Sequence, residues 1–374
     1  MFRTHAGLIP FQSNKYLDKS ATAHAKYIIG NQRTGHNEQK GRYGYTGRTP
    51  DQRIRNAGYG SSFIMENISI NTKTQHEAID TLFSAVYHRF VFLNLERDEI
   101  GMGQAKTSKK RKILNAYVYD FGSSSVVKMC RKMYRLKPAT YYTKHVCKKN
   151  KIMIPWNTFE SKKNMMRRKN ASIVRYPYHE QKNVSPAFYN ESPDPLPGYK
   201  VSGYPISVQI NPAYYKKVKL YSFKLYDKNG KSFKHVKIID KKNDRNHLFN
   251  AYEYALMPLK RLAYASKYTA IFDVSLDGIR KQIKWSFYTK TFQKKVYDIT
   301  DNITKLTVKR GADIILYIVP KNRKDILKGY SSKGGLKVSF LDPNTLKVQL
   351  PKKASKGRVR LYLSNKKRII FTIE

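Results

Sequence analysis

The chain has 374 residues, of which 40% are hydrophobic and 13% aromatic, and its 73 Lys and Arg against 26 Asp and Glu give a formal net charge of +47. This length exceeds what one hydrophobic core usually serves, so two or three domains are expected, and the charge favours polyanionic partners. A transmembrane segment is excluded because no run of about 18 apolar residues is present.

The charge is unevenly distributed along the chain. Residues 1–123 contain 18 Lys and Arg and 10 Asp and Glu, a surplus of 8, so residues 124–374 carry the remaining 39. A field of this size attracts nucleic acid, anionic lipid or anionic envelope polymers. The alternative is that the dispersed Lys residues only keep the surface solvated. Both interpretations stay open at this point.

The first predicted element is a helix over residues 14–30, followed by a long loop over 31–63. Asn14 can cap the helix and Gly30 can end it. One stripe of the helix carries Leu17, Ala21, His24 and Ile28. Because His24 lies on this apolar stripe, a structural role is favoured for it over a functional one.

A second helix is predicted over residues 74–93. Thr74 and Glu77 have the spacing of a capping box. Its apolar residues recur at helical spacing, namely Ile79, Leu82, Phe83, Val86, Phe90 and Leu93. His88 follows Ile79 by nine residues, about half a turn round a helix, so it should point away from the apolar stripe. It is therefore predicted to be solvated or to line a cleft.

The rest of the chain reads mainly as strands. A strand is predicted over residues 113–121, and residues 124–200 read as a basic, irregular connecting region because they are rich in Pro, Asn and Ser. Short β-runs begin at Ile206, with Asp227–Gly230 as a hairpin turn, and a second set follows residue 292. The predicted units are 1–123, 124–200, 201–291 and 292–374.

Two cysteines, Cys130 and Cys147, lie in the predicted connecting region. Neither has a CxxC partner or a paired histidine, so a zinc knot is not indicated. A disulfide would fit an oxidising compartment and would contribute about 3 kcal/mol by reducing the entropy of the unfolded chain. Two free thiols are the alternative.

Candidate site residues come from three separated segments. The Gly-rich loop supplies His36 and Glu38, and a carboxylate and an amide follow at Glu66 and Asn67. If His36, Glu66 and His88 converge, they could bind zinc or act as general acid and base. Glu66 and Asn67 could instead only pin loops, by bonding to neighbouring backbone.

Residues 1–122 carry a series of short motifs in this order: RTHAGL, AHAKY, GH, YTGRTPDQRIRNAGY, ENIS, the HR of VYHRFVFL, IGMG and AYVYDFG. In this order and spacing they resemble the bacterial branch of the CAP superfamily, named for cysteine-rich secretory proteins, antigen 5 and pathogenesis-related proteins. The resemblance implies an α-β-α sandwich with a cleft lined by His and Glu. By position, His36, Glu66 and the pair His88–Arg89 match cleft residues of the family.

The chain also departs from the family pattern. Met65 stands where a Gly usually precedes the glutamate, and Tyr117–Tyr119 occupies the strand where many members carry a His or Gln that completes the site. The candidate metal ligands His36 and His88 would therefore lack the residue that completes a four-residue metal site. Residues 201–291 are similar to bacterial immunoglobulin-like domains. The expected fold class is α+β: a CAP-like α-β-α sandwich followed by two all-β sandwich-like domains.

Three functions are expected from these features. The first is a secreted, periplasmic or cell-surface binding protein for an anionic envelope polymer, lipid or host surface ligand, although no export signal is recognised at residues 1–4. The second is a metal-assisted hydrolase using His36, Glu66 and His88, with zinc as the candidate cofactor. The third is nucleic-acid binding, since basic residues alternate with Tyr. The same alternation is typical of an ordinary strand with apolar residues inside and Lys outside.

Overall fold

A computed structural model describes residues 2–352 and 359–374. Met1 of the predicted first unit and Arg358, which opens the predicted strand RVRLYL, lie outside the described residues. Helices occupy the N-terminal part, and strands dominate from residue 173 onward. The predicted α+β class, with helices first and all-β units after them, is confirmed.

The N-terminal domain is a sheet covered by helices on both faces. Its helices are α1 Phe2–His5, α2 Lys15–Asn31, α3 Pro50–Ala57, α4 Gln75–Ser84 and α5 Val86–Phe92. Its strands are β1 Gln12–Ser13, β2 Met65–Ile70, β3 Glu99–Lys106 and β4 Asn115–Gly122, in the order β1-β3-β4-β2. Successive side chains of a strand face opposite sides. Val118 therefore packs with α2, while Tyr119 and Phe121 pack with α4 and α5.

Two glycines of β3 set how closely α2 approaches the sheet. A Cβ added at Gly101 would lie 2.1 Å from the carbonyl carbon of Leu17, and one at Gly103 would lie 2.1 Å from that of Ala21. No side chain fits in such a gap. The IGMG motif is thus explained by direct packing of the α2 backbone on β3.

The helix ends differ from the sequence prediction. Asn14 caps α2 as predicted, because its side chain accepts a hydrogen bond from Tyr16 N. The helix runs past Gly30, however, and Gln32 takes the left-handed conformation that ends it, with φ of 55°. Its side-chain amide bonds to Ile113 O and its oxygen to Ile113 N, which fixes this end to the neighbouring loop.

The predicted single helix over 74–93 is wrong, since it is broken at Ala85 (φ −88°, ψ 115°) into α4 and α5. The carbonyl of Phe83, freed from helical bonding, accepts bonds from Arg89 Nε at 2.7 Å and from Tyr204 Oη at 3.0 Å. These tertiary bonds replace the helical one. The rotation from Ile79 to His88 therefore does not follow one continuous helix.

Residues 124–170 form a small helical unit after the first domain. It contains α6 Ser124–Met129, α7 Trp156–Arg167 and the short strands β5 Tyr142–Thr143 and β6 Ile154–Pro155. The structure joins Cys130 and Cys147 in a disulfide. Both sulfurs lie in a core of their own with residues of α6 and α7, among them Val126 and Phe159.

The middle domain is a sandwich of two four-stranded sheets. One has the order β13-β14-β11-β7 and the other β12-β15-β16-β8. The strands are β7 Ile173–Tyr176, β8 Gln181–Val184, β9 Ala187–Phe188, β10 Ser202–Gly203, β11 Ile206–Ile210, β12 Val218–Tyr226, β13 Val236–Ile239, β14 Glu253–Pro258, β15 Lys267–Leu276 and β16 Ile279–Thr289, where β9 and β10 pair separately.

One detail of the sandwich corrects the sequence prediction and another agrees with it. Strands β7 and β8 lie within the region 124–200 that is predicted to be irregular; each is a short edge strand flanked by Pro or Ser, and each pairs only with distant strands. The predicted hairpin turn at Asp227–Gly230 does form, since Tyr226 pairs with Ser232 and Phe233 N donates to Leu225 O. Beyond this short hairpin the chain crosses to the other sheet, so β12 pairs with β15 and β13 with β14.

The C-terminal domain is a second two-sheet sandwich with a separate core. Its sheets have the orders β17-β19-β22-β21 and β18-β24-β23-β20. The strands are β17 Val296–Ile299, β18 Ile303–Val308, β19 Asp313–Ile318, β20 Tyr330–Lys333, β21 Lys337–Asp342, β22 Thr345–Gln349, β23 Val359–Leu363 and β24 Arg368–Ile373.

The N-terminal domain and the middle sandwich share one hydrophobic core. Phe83 and Phe92 of the first domain belong to the same buried cluster as Tyr176, Tyr204 and Ile206 of the sandwich. The rings of Phe83 and Tyr176 lie 5.0 Å apart. This shared core fixes the position of α5 against the sandwich, and the candidate site lies at that junction.

Candidate functional site

A hollow of about 290 Å³ lies where α5 meets the middle sandwich. The first domain contributes four predicted site residues: His36, Glu66, Asn67 and His88. The sandwich contributes part of the opposite wall. The complete lining is His36, Met65, Glu66, Asn67, Tyr87, His88, Phe90, Val91, Asn94, Ser192, Pro193, Leu248, Asn250 and Glu253.

Glu66 projects from β2 and lies between a histidine and an arginine. Its Oε1 is 2.8 Å from His36 Nδ1, and its Oε2 accepts a 2.6 Å bond from Arg53 of α3. Arg53 is buried and also donates to His36 O at 2.7 Å. The loop histidine, whose side chain is 51% exposed, is thus held at the rim of the hollow by a buried ion pair.

His88 is held by a glutamate of the sandwich. Its Nδ1 lies 2.9 Å from Glu191 Oε2, and Glu191 Oε1 accepts a 2.8 Å bond from Val86 N at the start of α5. A carboxylate there compensates for the free N–H groups of the first helical turn. Glu191 therefore positions both the helix and its histidine.

Asn67 has the structural role considered for it from the sequence. Its Nδ2 donates to His88 O at 2.9 Å, which ties β2 to α5. The amide also forms part of the hollow's wall. Strand and helix, and with them Glu66 and His88, are consequently fixed relative to each other.

Burial and nearby charge shift the pKa values of the carboxyl groups in opposite directions. Burial opposes ionisation of Glu66, but the hydrogen bond with His36 and the charges of Arg53 and the nearby histidines outweigh it and lower its pKa. Burial raises the pKa of Glu191, offset in part by His88. Burial also raises the pKa of Glu253 to about 7, against hydrogen bonds from Asn250 and Gln209.

A buried aspartate lies directly behind the site. Asp120 of β4 stands opposite Glu66 in the strand register. Burial, reinforced by the negative charge of Glu66, raises its pKa well above the ordinary value. Since one member of such a pair keeps its proton, a single negative charge faces Arg53 from this pair of strands.

Two predicted cleft residues lie elsewhere. The carboxylate of Glu38 is buried beneath the loop, bonded to His24 Nδ1 at 2.9 Å and to Thr46 N at 2.7 Å, so it does not line the hollow. The guanidinium of Arg89 points into the junction core, where it donates to Pro205 O and to Ser207 Oγ. His24, also buried, has the predicted structural role.

The donor set does not fit a zinc ion. Within residues 2–352 and 359–374, no group of three or more His, Cys, Asp and Glu side chains is placed to hold a metal. His36 and His88 each turn Nδ1 to a different carboxylate, which orients the rings and leaves only Nε2 of each for a metal. The buried guanidinium of Arg53 already neutralises Glu66, the one acidic candidate. The metal-assisted route therefore has no support from these contacts.

Sequence reasoning missed the residues that the sandwich contributes. Glu191 lies in the Pro- and Ser-rich stretch read as a linker, and Glu253 begins β14. Glu191 is 103 residues from His88, so no local pattern connects them. For Glu253 the sequence does contain one signal, which is a glutamate at the start of a strand whose other residues are almost all apolar.

Chemically, the hollow offers hydrogen-bond acceptors and two imidazoles above an apolar wall. Glu66 is ionised, and Glu253 exchanges a proton near neutral pH. The amides of Asn94 and Asn250 can donate as well as accept. Tyr87 and Phe90 supply aromatic area on α5. Such a lining suits a neutral polyol or an ammonium group better than an anion.

Comparison with known proteins identifies the N-terminal domain. Residues 1–121 match the family model described as CAP, the Cysteine-rich secretory protein family. The α-β-α sandwich and the residues His36, Glu66 and His88 lie in this part of the chain. This domain is therefore a CAP domain, and the later domains are all-β. No curated protein matches the chain.

Solved structures similar to the chain include those of two bacterial proteins. An outer surface protein from Borrelia burgdorferi is 21% identical over 32% of this chain and 83% of that chain, with a TM-score of 0.28. An extracellular protein containing a SCP domain, from Bacillus anthracis str. Ames, is 19% identical over 31% of this chain and 35% of that chain, with a TM-score of 0.26. These values are too low to indicate a shared ligand.

The similar solved structures also include a fragment of titin. A titin fragment is 11% identical over 55% of this chain and all of that chain, with a TM-score of 0.19. In the described ranges, no helix is long and apolar enough to cross a bilayer.

Proposed function

We propose that this protein is a secreted or cell-surface binding protein whose CAP–sandwich hollow takes a polar group of an envelope or host polymer. Its basic outer surface holds the polymer's anionic groups. The observation that carries the proposal is the contrast between the hollow and the rest of the chain. Among the described residues, no Lys or Arg lines the hollow, where carboxyl, amide and imidazole groups lie beside apolar side chains, whereas residues 124–374 carry 39 surplus positive charges.

The basic outer surface is a feature of ordinary two-faced strands. In β12, Phe223 and Leu225 are buried while Lys219 and Lys224 are exposed. This alternation supports the strand interpretation over a row of stacking platforms. Exposed cations act together on a polyanion, and salt screens them within about 10 Å at 0.1 M.

The test compares retention of the full chain on two single-stranded polyanions with the same number of backbone bonds between phosphates: poly(glycerol phosphate), whose hydroxyl groups suit the hollow, and single-stranded DNA. We expect retention on both to fall steeply with salt. Poly(glycerol phosphate) should be retained to higher salt, because only its hydroxyl groups can enter the hollow. Equal retention of the two, or retention insensitive to salt, would contradict the proposal. Preference for particular DNA sequences would instead favour the nucleic-acid interpretation.

Variants distinguish binding in the hollow from binding on the basic outer surface. His36→Gln should abolish the preference for poly(glycerol phosphate) with little loss of stability, since its side chain is half exposed. Replacing Lys224, Lys281 and Lys284 by Gln should reduce retention of both polymers. The matched control replaces Lys109, Lys110 and Lys112 of the CAP domain by Gln, and it should reduce retention less.

A second candidate function is hydrolysis by acid–base catalysis in the same hollow. Glu253, with its pKa of about 7, favours it because such a group can donate and accept a proton near neutral pH. Glu66 would serve as the ionised partner. Release of product from poly(glycerol phosphate), lost in both Glu253→Gln and Glu66→Gln, would support this function. Turnover unchanged in both variants would rule it out.

A further inference from the structure

A second cavity, whose lining differs from that of the CAP hollow, lies between α6 and α7. It encloses about 700 Å³, within the range of small-molecule sites. We call it the basic groove. Its lining is Ser124, Ser125, Lys128, Met129, Arg131, Lys132, Tyr134, Thr158, Lys162, Met165, Met166 and Lys169.

The floor of the basic groove is apolar and rich in methionine. Met129 and Met166 are buried, whereas Met165 remains 55% exposed, and Tyr134 is half-buried beside them. Methionine side chains adapt to irregular apolar ligands. A hydrated polyanion would gain nothing from such a floor, so the floor indicates a ligand with an apolar part.

The rim is cationic. Lys128, Arg131, Lys132, Lys162 and Lys169 are all exposed. Among residues 2–352 and 359–374, none of these five forms an ion pair with a carboxylate. Residues 124–170 contain 14 Lys and Arg and a single acidic residue, Glu160, which bonds to Lys163 outside the groove. The rim therefore presents positive charge that no carboxylate neutralises.

The walls of the groove are held in place. The Cys130–Cys147 disulfide joins the end of α6 to the loop before α7. At the other end of α6, Asp98 Oδ1 accepts a 2.8 Å bond from Ser124 N. The cationic rim and the apolar floor are thus presented together on a fixed support.

We propose that the basic groove binds an acidic amphiphile, with its alkyl chain over the methionine floor and its carboxylate or phosphate head among the rim cations. The apolar floor and the cationic rim each need a reason of their own. A surface that is only solvated does not need an apolar floor, and a packed core does not leave Met165 exposed. The inference deepens the proposed function, on which it depends only for the anionic nature of the partner.

The test uses the full chain and three simple ligands. They are dodecyl phosphate, dodecyl maltoside as a tail without charge, and glycerol phosphate as a head without a tail. Both dodecyl ligands are kept below their micelle concentrations. Titration calorimetry should give one dodecyl phosphate per chain, bound at least tenfold more tightly than either of the others. Equal affinity for dodecyl phosphate and glycerol phosphate would overturn the proposal, and so would equal affinity for the two dodecyl ligands.

Variants assign the binding to the groove. The double variant Lys128→Gln with Lys162→Gln should weaken dodecyl phosphate at least tenfold and leave dodecyl maltoside unchanged. Met165→Ser, at an exposed side chain, should weaken both dodecyl ligands. The control Lys109→Gln with Lys110→Gln, in the CAP domain, should change neither. Dodecyl phosphate binding unaffected by both groove variants would place the ligand elsewhere.

The failure of this inference is distinguishable from failure of the proposed function. Met165→Ser should leave salt-dependent retention on poly(glycerol phosphate) unchanged, because that polymer has no apolar tail. If dodecyl phosphate does not bind but polymer retention is normal, only the proposal for the basic groove fails. If the polymer preference is missing but dodecyl phosphate binds, only the proposal for the hollow fails.

Discussion

The middle sandwich contacts its two neighbours in different ways. Toward the CAP domain it shares an apolar core, in which the Arg89 guanidinium lies 4.9 Å from the ring centres of both Tyr176 and Tyr204. Toward the C-terminal domain the described residues form no shared apolar core, and the contacts centre on the ion pair of Arg261 with Asp342, beside the packed rings of Tyr264 and Tyr317. The CAP domain and the sandwich should therefore unfold as one unit, whereas the C-terminal domain can separate alone.

The largest expected effect is that of Arg89→Ala at the apolar junction. The change removes charged hydrogen bonds to Phe83 O and Pro205 O and leaves a cavity between two tyrosine rings. We expect the free energy of unfolding of the joint CAP–sandwich unit to fall by about 3–5 kcal/mol. Urea denaturation, followed by tryptophan fluorescence, measures it.

The matched control for Arg89→Ala is Arg42→Ala, an exposed residue of the CAP loop. It should change the urea midpoint little. Separate transitions for the CAP domain and the sandwich in the unmutated chain would contradict the idea of one unit.

The next effect depends on pH and tests the wall of the hollow. Glu253 has a pKa of about 7 when folded and about 4.5 as its ordinary value. Between these values the folded chain holds a proton that the unfolded chain has released. Unfolding free energy therefore falls as pH rises through this window, by about 3 kcal/mol at 1.36 kcal/mol per unit.

The variant Glu253→Gln should remove this part of the pH dependence. Its stability relative to the unmutated chain should improve from pH 5 to pH 8, as measured by urea midpoints at each pH. Glu180→Gln, at an exposed position, serves as the control. A constant difference between Glu253→Gln and the unmutated chain over this range would show that Glu253 does not titrate there.

At the polar junction, Asp342→Ala should cost less. The carboxylate accepts bonds from Arg261 and Tyr264 at 2.8 Å each and from Tyr189 at 2.6 Å. Removing it leaves the buried guanidinium unpaired, and we expect a loss of about 2 kcal/mol confined to the C-terminal domain.

Limited proteolysis measures the effect of Asp342→Ala, with faster cleavage expected between β16 and β17. The control Asp298→Ala, at an exposed aspartate, should be cleaved at the unmutated rate. A fall in stability of the CAP–sandwich unit in Asp342→Ala would mean that the two junctions are energetically coupled.

The sequence predicted what short-range patterns encode. Asn14 and Thr74 cap helices as expected, and the motifs around His36, Glu66 and His88 indicated residues that do line one hollow. The break at Ala85 was not predictable, because no Gly or Pro marks it and the bonds to Phe83 O that accompany it come from Arg89 and from Tyr204, which is 121 residues away.

The sandwich side of the hollow was missed for the same reason. Glu191 bonds to His88 across 103 residues, and β7 and β8 become strands only by pairing with distant segments. Glu38 and Arg89 were misassigned because composition does not reveal which way a charged side chain points. Both became buried by finding hydrogen-bond partners, as buried polar groups generally do.

The smallest expected effects come from a matched pair of hydroxyl deletions, one at each junction. Tyr204→Phe removes the bond from its hydroxyl to Phe83 O, whereas Tyr264→Phe removes a hydroxyl that donates to Asp342 and also bonds to Arg261 and Thr345. Tyr204→Phe should cost about 1 kcal/mol, the usual net value of one hydrogen bond, and Tyr264→Phe somewhat more. The same group is deleted in both variants, and the comparison concerns which unit loses stability. Tyr204→Phe should lower the joint CAP–sandwich transition, and Tyr264→Phe should only speed cleavage between β16 and β17. The same response from both variants would mean that the shared core and the polar contacts join the domains equally well.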